Sequence, residues 1–322
     1  MSKESPKSSV TGTMNNILNL YKPVGPSSFF MVQSVIRTLK VKKAGHIGTL
    51  DPKAEGVLPI CLDQSTRLIQ FLVSLPKVYL ATMTLGIATD TQDASGQVLS
   101  TGDASRITEQ QVREVLAGFQ GEQQQTPPMY SAKKKNGVPL YKLARNGITT
   151  ERKPVTLQIY SIDFLKKEDN QVIFRVKCSA GTYIRTLCHD VGVTLGCGAH
   201  MSQLVREQVG QFDVQSSLTI EELSQAQDDG TLSQKLLETE TVLDFLPAIK
   251  VTPDYVASIA HGKPLTKSVV MDTPEHFRPG MNLRVTGEDG RIAAIVEPMV
   301  DEAGFQKLDP RDTAFKLKRV LV

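Results

Sequence analysis

The stretch Lys77–Leu85, KVYLATMTL, narrows the possible folds more than any other. Tyr79, Ala81, Met83 and Leu85 fall on one side of a period of two, and Leu80, Thr82 and Thr84 on the other. Such a segment is a strand, and its parity turns Tyr79 to the apolar side. A second strand, with Val172, Phe174, Val176 and Cys178 on one face, breaks at Gly181 and enters a helix carrying Tyr183 and Arg185 in its first turn. NILNLYKPVGPSS reads as a short strand, a Pro/Gly turn and a helix cap at Ser27 or Ser28. Residues 28–40 follow as an amphipathic helix, with Phe29, Val32, Ile36 and Leu39 at helical spacing. ITEQQVREVLAGFQG is another helix, capped by Thr108 and ending near Gly118. Strands and helices mix without regular βαβ spacing. The fold class expected is therefore α+β, with a mixed, mostly antiparallel sheet and flanking helices.

A chain of 322 residues has room for two domains. Residues 250–322 change character: NLRVTGEDGRIAAIVEP is a hairpin turning at Asp289-Gly290, and FKLKRVLV is a basic strand. They are expected to form a small β-rich domain after a body spanning 15–249. The first 14 residues are polar and Ser-rich, without the apolar stretch of a secretory signal, and are expected to be a disordered tail. No apolar run approaches the roughly 18 residues of a membrane span, so a membrane role is not expected.

The net charge is only +3, but its distribution is uneven. No acidic residue lies between Glu122 and Glu151, a window holding Lys133, Lys134, Lys135, Lys142 and Arg145. Arg37, Lys40, Lys42 and Lys43 form a second basic run, whereas acid collects at 221–244, in a region expected to be helical. Solvated faces would explain either cluster alone; two of them beside glycine loops point to a polyanionic partner. The window 122–153 reads as an exposed basic insertion ending in a short helix. The cysteines (Cys61, Cys178, Cys188, Cys197) have no disulfide-framework spacing. Cys188, His189, Cys197 and His200 lack the paired spacing of a zinc site, so no metal is expected.

Asp51 sits in KAGHIGTLDPKAEGVLPI, framed by Gly48, Pro52 and Gly56. Asp before Pro is ordinary turn chemistry, and a strand Tyr is ordinarily core. Arg185 is less ordinary, because a cation in a helix's first turn opposes the helix dipole unless it meets an anion. Asp51 would be that anion. A bidentate pair would orient the carboxylate, lower its pKa and keep it ionised for work as a nucleophile or base.

KPVGPSS (22–28), GHIGTLDPKAEGVLPI (45–60), KVYLATMTLGIATDTQDASG (77–96), TPPMYSAKKKNGVPLYKLARNG (126–147) and GTYIRTLCHDVGVTLGCGAHMSQLVREQVGQF (181–212) occur together and in order. The chain thereby closely resembles the bacterial TruB family of tRNA pseudouridine synthases, strongly over about residues 15–215. Its tail is similar, more weakly, to that family's PUA-type RNA-binding domain. The resemblance implies the pseudouridine synthase fold and isomerisation of the T-loop uridine of tRNA, with the glycosidic bond moving from N1 to C5. No cofactor or metal is implied. It makes Asp51 the essential catalyst and lays Tyr79 against the flipped base. Tyr183 and Arg185 line the pocket, the arginine paired to Asp51. Leu204 closes the apolar wall and His46 meets RNA. The basic residues Lys133, Lys134, Lys135, Lys142 and Arg145 would contact phosphates.

Tyr21, Ile47, Lys53, Glu55 and FFMVQ after PSS depart from the usual pattern without removing a catalytic position. The partner implied is the T arm of tRNA, for a cytoplasmic, monomeric enzyme. The competing readings are a tRNA-folding or RNA-binding protein with secondary or lost catalysis, and the catalytic subunit of a guide-RNA-dependent machine. Asp51, Tyr79 and Arg185 speak against the first. The absence of long basic tails speaks against the second.

Overall fold

The computed structural model describes residues 16–131, 133–135 and 137–321; the expected tail of residues 1–14 lies outside them. The chain divides into two compact units, one of residues 19–60 and 73–235, the other of residues 16–18, 61–72 and 236–321.

The alternating segments form the centre of the larger unit. Lys77–Leu85 lies between Ala199–Val209 and Gln171–Cys178, and the sheet continues through Val155–Glu168 to Gly121–Gln125, every pairing in this run antiparallel. On its other side Ala199–Val209 pairs in parallel with Glu55–Leu62, placing Val205 opposite Glu55 and Arg206 opposite Gly56. Tyr79 is the crossing point of the register, with Val176 beside it on one neighbour and Arg206 on the other. Tyr79, Ala81, Met83 and Leu85 share one buried core with Val172, Phe174, Val176 and Cys178, as their parity requires. The Ile184–Thr194 helix packs on Ala199–Val209 and Lys77–Leu85, and the Glu109–Gly118 helix on Val155–Glu168. Thr108 caps the latter in a reciprocal capping box with Gln111.

The first helix runs from Ser28 to Leu39, its Ser27 cap accepting from the Phe30 amide. Its buried face differs from the expected one. Ser28, Met31, Val32, Ser34, Val35 and Leu39 are buried, whereas Phe29 is 70% exposed. The Ser28 hydroxyl both accepts from the Leu50 amide and donates to the Leu50 carbonyl, which turns position 28 inward and position 29 outward.

In the smaller unit six strands run in the order Leu265–Thr266, Thr313–Val320, Ile292–Pro298, Leu283–Thr286, Ala248–Val251, Val270–Asp272. The expected hairpin is its centre, with Gly290 at φ +76° in the turn. Phe277, Phe305 and Phe315 pack edge to face and tilted, with centroids 5.6–5.9 Å apart. Among the described residues no helix is long and apolar enough to cross a membrane, and no group of three His, Cys, Asp or Glu could hold a metal ion.

Candidate active site

The Asp51 loop is fastened from beneath by two buried cations. Lys22 is fully buried, and its Nζ donates to the carbonyls of Ala54 (2.6 Å), Pro23 (3.0 Å) and Pro52 (3.4 Å). Arg206 is 1% exposed and donates to the carbonyls of Val57 (2.7 Å), Gly48 (3.0 Å) and Thr49 (3.4 Å). Desolvation drives the Lys22 pKa down to about 8 and that of Arg206 below its usual range. The carbonyls take the place of the lost water. Gly48 and Gly56 adopt φ of +90° and +108°. At Gly56 a Cβ would lie 2.3 Å from the Arg206 carbonyl oxygen. Gly56→Ala should therefore cost about 3 kcal/mol, by positive-φ strain and overpacking. A thermal melt unchanged from the parent would contradict this packing.

Neither cation stood out in the sequence. The KP dipeptide was the only signal for Lys22, and Arg206 is one polar letter within a strand. Two departures from the usual family pattern meet in the same place: the Tyr21 hydroxyl donates to Glu55 at 2.8 Å, and burial with this bond pushes the phenol up to about 12.

Above this floor, Asp51 is 42% exposed, and its Oδ2 lies 3.1 Å from Nη2 of Arg185, which is 6% exposed. The two residues meet, but through this one contact and not the bidentate fork expected, because the guanidinium is divided three ways. Nη1 lies 3.5 Å from Oδ2 of Asp93, and Nη2 also donates to the Tyr130 carbonyl at 2.7 Å. Asp93 is a third residue that sequence reasoning missed. In TDTQDASG it reads as turn chemistry, and it does make a turn, its Oδ1 accepting from Thr91 Oγ1 (2.8 Å) and the Ser95 amide (2.9 Å). The electrostatic consequence differs from expectation too. Burial raises the Asp51 pKa, Arg185 opposes that, Asp93 adds to it and Lys22 opposes it; the net direction is upward. One shared arginine does not outweigh desolvation plus a second carboxylate.

Tyr79 is buried in the core, with Arg206 opposite it on the neighbouring strand. Burial dominates and raises the phenol's pKa, so the ring presents a neutral hydroxyl. Leu204 is buried in the same core, opposite Ala81 on the neighbouring strand. Tyr183 sits at the N-cap of the Ile184–Thr194 helix, where its own side chain makes no capping bond. Gln125 holds it instead: the Tyr183 amide donates to Gln125 Oε1 (2.8 Å), and Gln125 Nε2 donates to the Tyr183 carbonyl (3.0 Å). A cavity beside Tyr183 is lined by Pro127, Lys133, Leu157 and Gly181.

His46 ends the short Ala44–His46 strand just ahead of the loop. Burial and the nearby Arg206 lower its pKa, which keeps the ring neutral, and its buried Nδ1 has no partner among the described residues. Four cations of the basic insertion lie at the surface. Lys133 and Lys135 are exposed, and Lys135 Nζ donates to the Glu151 carbonyl at 3.0 Å; the side chain of Lys134 lies outside the described residues. Lys142 and Arg145 are exposed on the Leu140–Arg145 helix. The insertion's root nevertheless touches the site, through the Tyr130 carbonyl on Arg185. Chemically, the site is an oriented carboxylate of raised pKa at the mouth of an apolar wall, served by a cation and an aromatic ring. It suits attack on, or deprotonation of, a neutral substrate.

Comparison with known proteins finds related sequences and a shared fold. Residues 37–184 match the family described as TruB family pseudouridylate synthase (N terminal domain), and residues 185–244 the tRNA pseudouridylate synthase B C-terminal domain. The chain is 43% identical to tRNA pseudouridine synthase B of Syntrophotalea carbinolica, covering 87% of this chain and 91% of that one. It is 40% identical to the enzyme of the same name from Pelotomaculum thermopropionicum, covering 94% and 96%. A chain in the structure of an H/ACA RNP bound to a substrate RNA containing 2'-deoxyuridine aligns with TM-score 0.75 and 27% identity, over 96% of this chain and 85% of that one. A chain of a Cbf5-Nop10-Gar1 complex aligns with TM-score 0.79 and 30% identity, over 95% and 84%.

Proposed function

The chain belongs to the TruB family of tRNA pseudouridine synthases, and from that premise we propose that its substrate is the T-loop uridine at position 55 of tRNA, isomerised by way of Asp51. The observation that carries this reading is the Asp51–Arg185 contact of 3.1 Å, at a carboxylate left 42% exposed among otherwise buried groups. A uridine within a folded loop must leave its stack before its glycosidic bond can be reached, at a cost of a few kcal/mol. Tyr79 and Leu204 offer an apolar, aromatic wall to the flipped base, and stacking of this kind returns roughly 1–3 kcal/mol. Arg185 aims Asp51, and Tyr183, clamped by Gln125, lines a cavity it shares with Lys133 of the basic insertion. Residues 15–249 form the catalytic domain in this reading, and the β-rich residues from 250 onward a PUA-like RNA-binding domain. The enzyme acts as a monomer in the cytoplasm and recognises the arm by shape more than by a long sequence.

The test is to treat unmodified tRNA transcripts with purified protein and map pseudouridine by chemical derivatisation. Conversion of the T-loop uridine alone is expected; conversion elsewhere, or none, overturns the proposal. His46 and the basic insertion are proposed RNA contacts. Replacing Lys133, Lys134 and Lys135 together by Gln should weaken tRNA binding about tenfold or more and reduce the slope of log K against log salt by about two to three. An unchanged slope would assign these lysines to solvent.

A further inference from the structure

Val24, Phe29 and Phe30 are 52%, 70% and 52% exposed, and Phe29 is the most exposed large apolar side chain among the described residues. Scattered exposed apolar residues are ordinary; three within seven residues, two of them consecutive aromatics, are not. Their position is informative. The Gly25 amide donates to the Pro52 carbonyl at 2.8 Å, and the Ser28 hydroxyl bonds both the amide and the carbonyl of Leu50. The neighbours of Val24 and Phe29 in the chain thus hold the two residues on either side of Asp51. The segment carrying these three side chains is tied directly to the loop that bears the reactive carboxylate.

Along the cluster's own stretch of chain the charge has one sign, although the Ser28–Leu39 helix packs against the acidic Ile220–Asp228 helix. Between Glu4 and Asp51 the sequence holds no acidic residue. Arg37, Lys40, Lys42 and Lys43 are exposed at the far end of the same helix and just beyond it. Two turns along that helix from Phe30, the Arg37 guanidinium lies 5.7 Å from the ring centroid. A flat π-face supported by a cation, within a wholly basic segment, is the combination that receives an unstacked nucleobase and its phosphates.

We infer that Phe29 and Phe30, with Val24, are a stacking platform for an unpaired nucleotide of the substrate RNA adjoining the one presented to Asp51. Arg37 and Lys40 take the flanking phosphates. The inference rests on the pseudouridine-synthase reading above and adds a second base contact to it. It also gives a role to FFMVQ, the stretch departing from the usual pattern: aromatic rings here strengthen the hold on splayed loop nucleotides without entering the chemistry. The favoured occupant is RNA and not a second copy of the chain, because apposing two such basic segments would bring like charges together.

The chain has no tryptophan, so Phe30→Trp would carry a single reporter of the platform. Its emission should be quenched on titration with an unmodified tRNA transcript, saturating at the Kd found by filter binding. The double variant Phe29→Ser/Phe30→Ser should weaken tRNA binding about five- to a hundredfold, while the single-turnover rate at saturating tRNA stays within about twofold of the parent. An unchanged Kd, or unquenched emission in a complex known to form, overturns the inference. So does concentration-dependent self-association in sedimentation that the double variant abolishes, which would make the surface a protein interface. Failure of the parent reading is separable: wild-type protein would bind tRNA and form no pseudouridine, whatever the tryptophan reports.

Discussion

Asp51→Asn is expected to reduce pseudouridine formation by about 10⁴-fold or more, with tRNA affinity little changed. The magnitude is that of losing a carboxylate which acts on the reacting atoms, either as nucleophile or as base. The substitution is nearly isosteric, and the supports of the loop are unaffected by it. The turn closes through the backbone, from the Ala54 amide to the carbonyl of residue 51, and Lys22 and Arg206 hold carbonyls of other residues. Folding is therefore expected to be intact, as a melt would show. The parent also makes a prediction about pH. Activity requires ionised Asp51, whose pKa burial raises, so turnover should climb with pH through an acid limb above the ordinary carboxylate range. Any residual rate in the Asn variant should lack this limb. Near-normal turnover by single-turnover assay would remove Asp51 from the chemistry.

How much of this could be read beforehand depended on the range of the interactions. The strands were legible because period-two burial is a local property of sequence: Tyr79, Ala81, Met83 and Leu85 occupy the core their spacing assigns them. Asp51 and Arg185 could be paired in advance because a cation in a helix's first turn asks for an anion. Lys22 and Arg206 were not legible. Arg206 reaches backbone carbonyls 149 to 158 residues away, and a carbonyl leaves no trace in sequence. Asp93 was hidden for the opposite reason. It satisfies a local turn so completely through Oδ1 that nothing suggests a second use for Oδ2, 92 residues from its partner. Phe29 was misplaced because helical spacing admits neighbouring stripes, and the bonds of Ser28 to Leu50 decide which faces inward.

The divided guanidinium yields the more discriminating experiment, because removing the cation and removing its second carboxylate partner predict opposite shifts. Arg185 is the main influence lowering the Asp51 pKa against burial, and Asp93 the charge raising it. Arg185→Ala leaves two carboxylates facing each other without their cation. The acid limb of turnover should move to higher pH, and the rate at its plateau should fall about 10²–10³-fold, the scale of breaking a buried ion pair. Binding of tRNA should change far less, since Arg185 is buried beneath the surface that phosphates reach. Asp93→Asn removes the repulsion and leaves Arg185 to Asp51 and the Tyr130 carbonyl. The limb should move to lower pH while the plateau falls about tenfold, because the guanidinium loses one of its anchors. Arg185→Lys separates charge from geometry: an ammonium restores part of the lowered pKa but cannot reach Asp51, Asp93 and Tyr130 together, so the limb recovers more than the rate. These shifts are read from single-turnover rates at saturating tRNA between about pH 5 and 9, which keeps binding out of the profile. Limbs moving in the same direction in the Ala and Asn variants would mean that Asp93 acts only through its turn, and equal losses of turnover and affinity in Arg185→Ala would make that residue a phosphate contact.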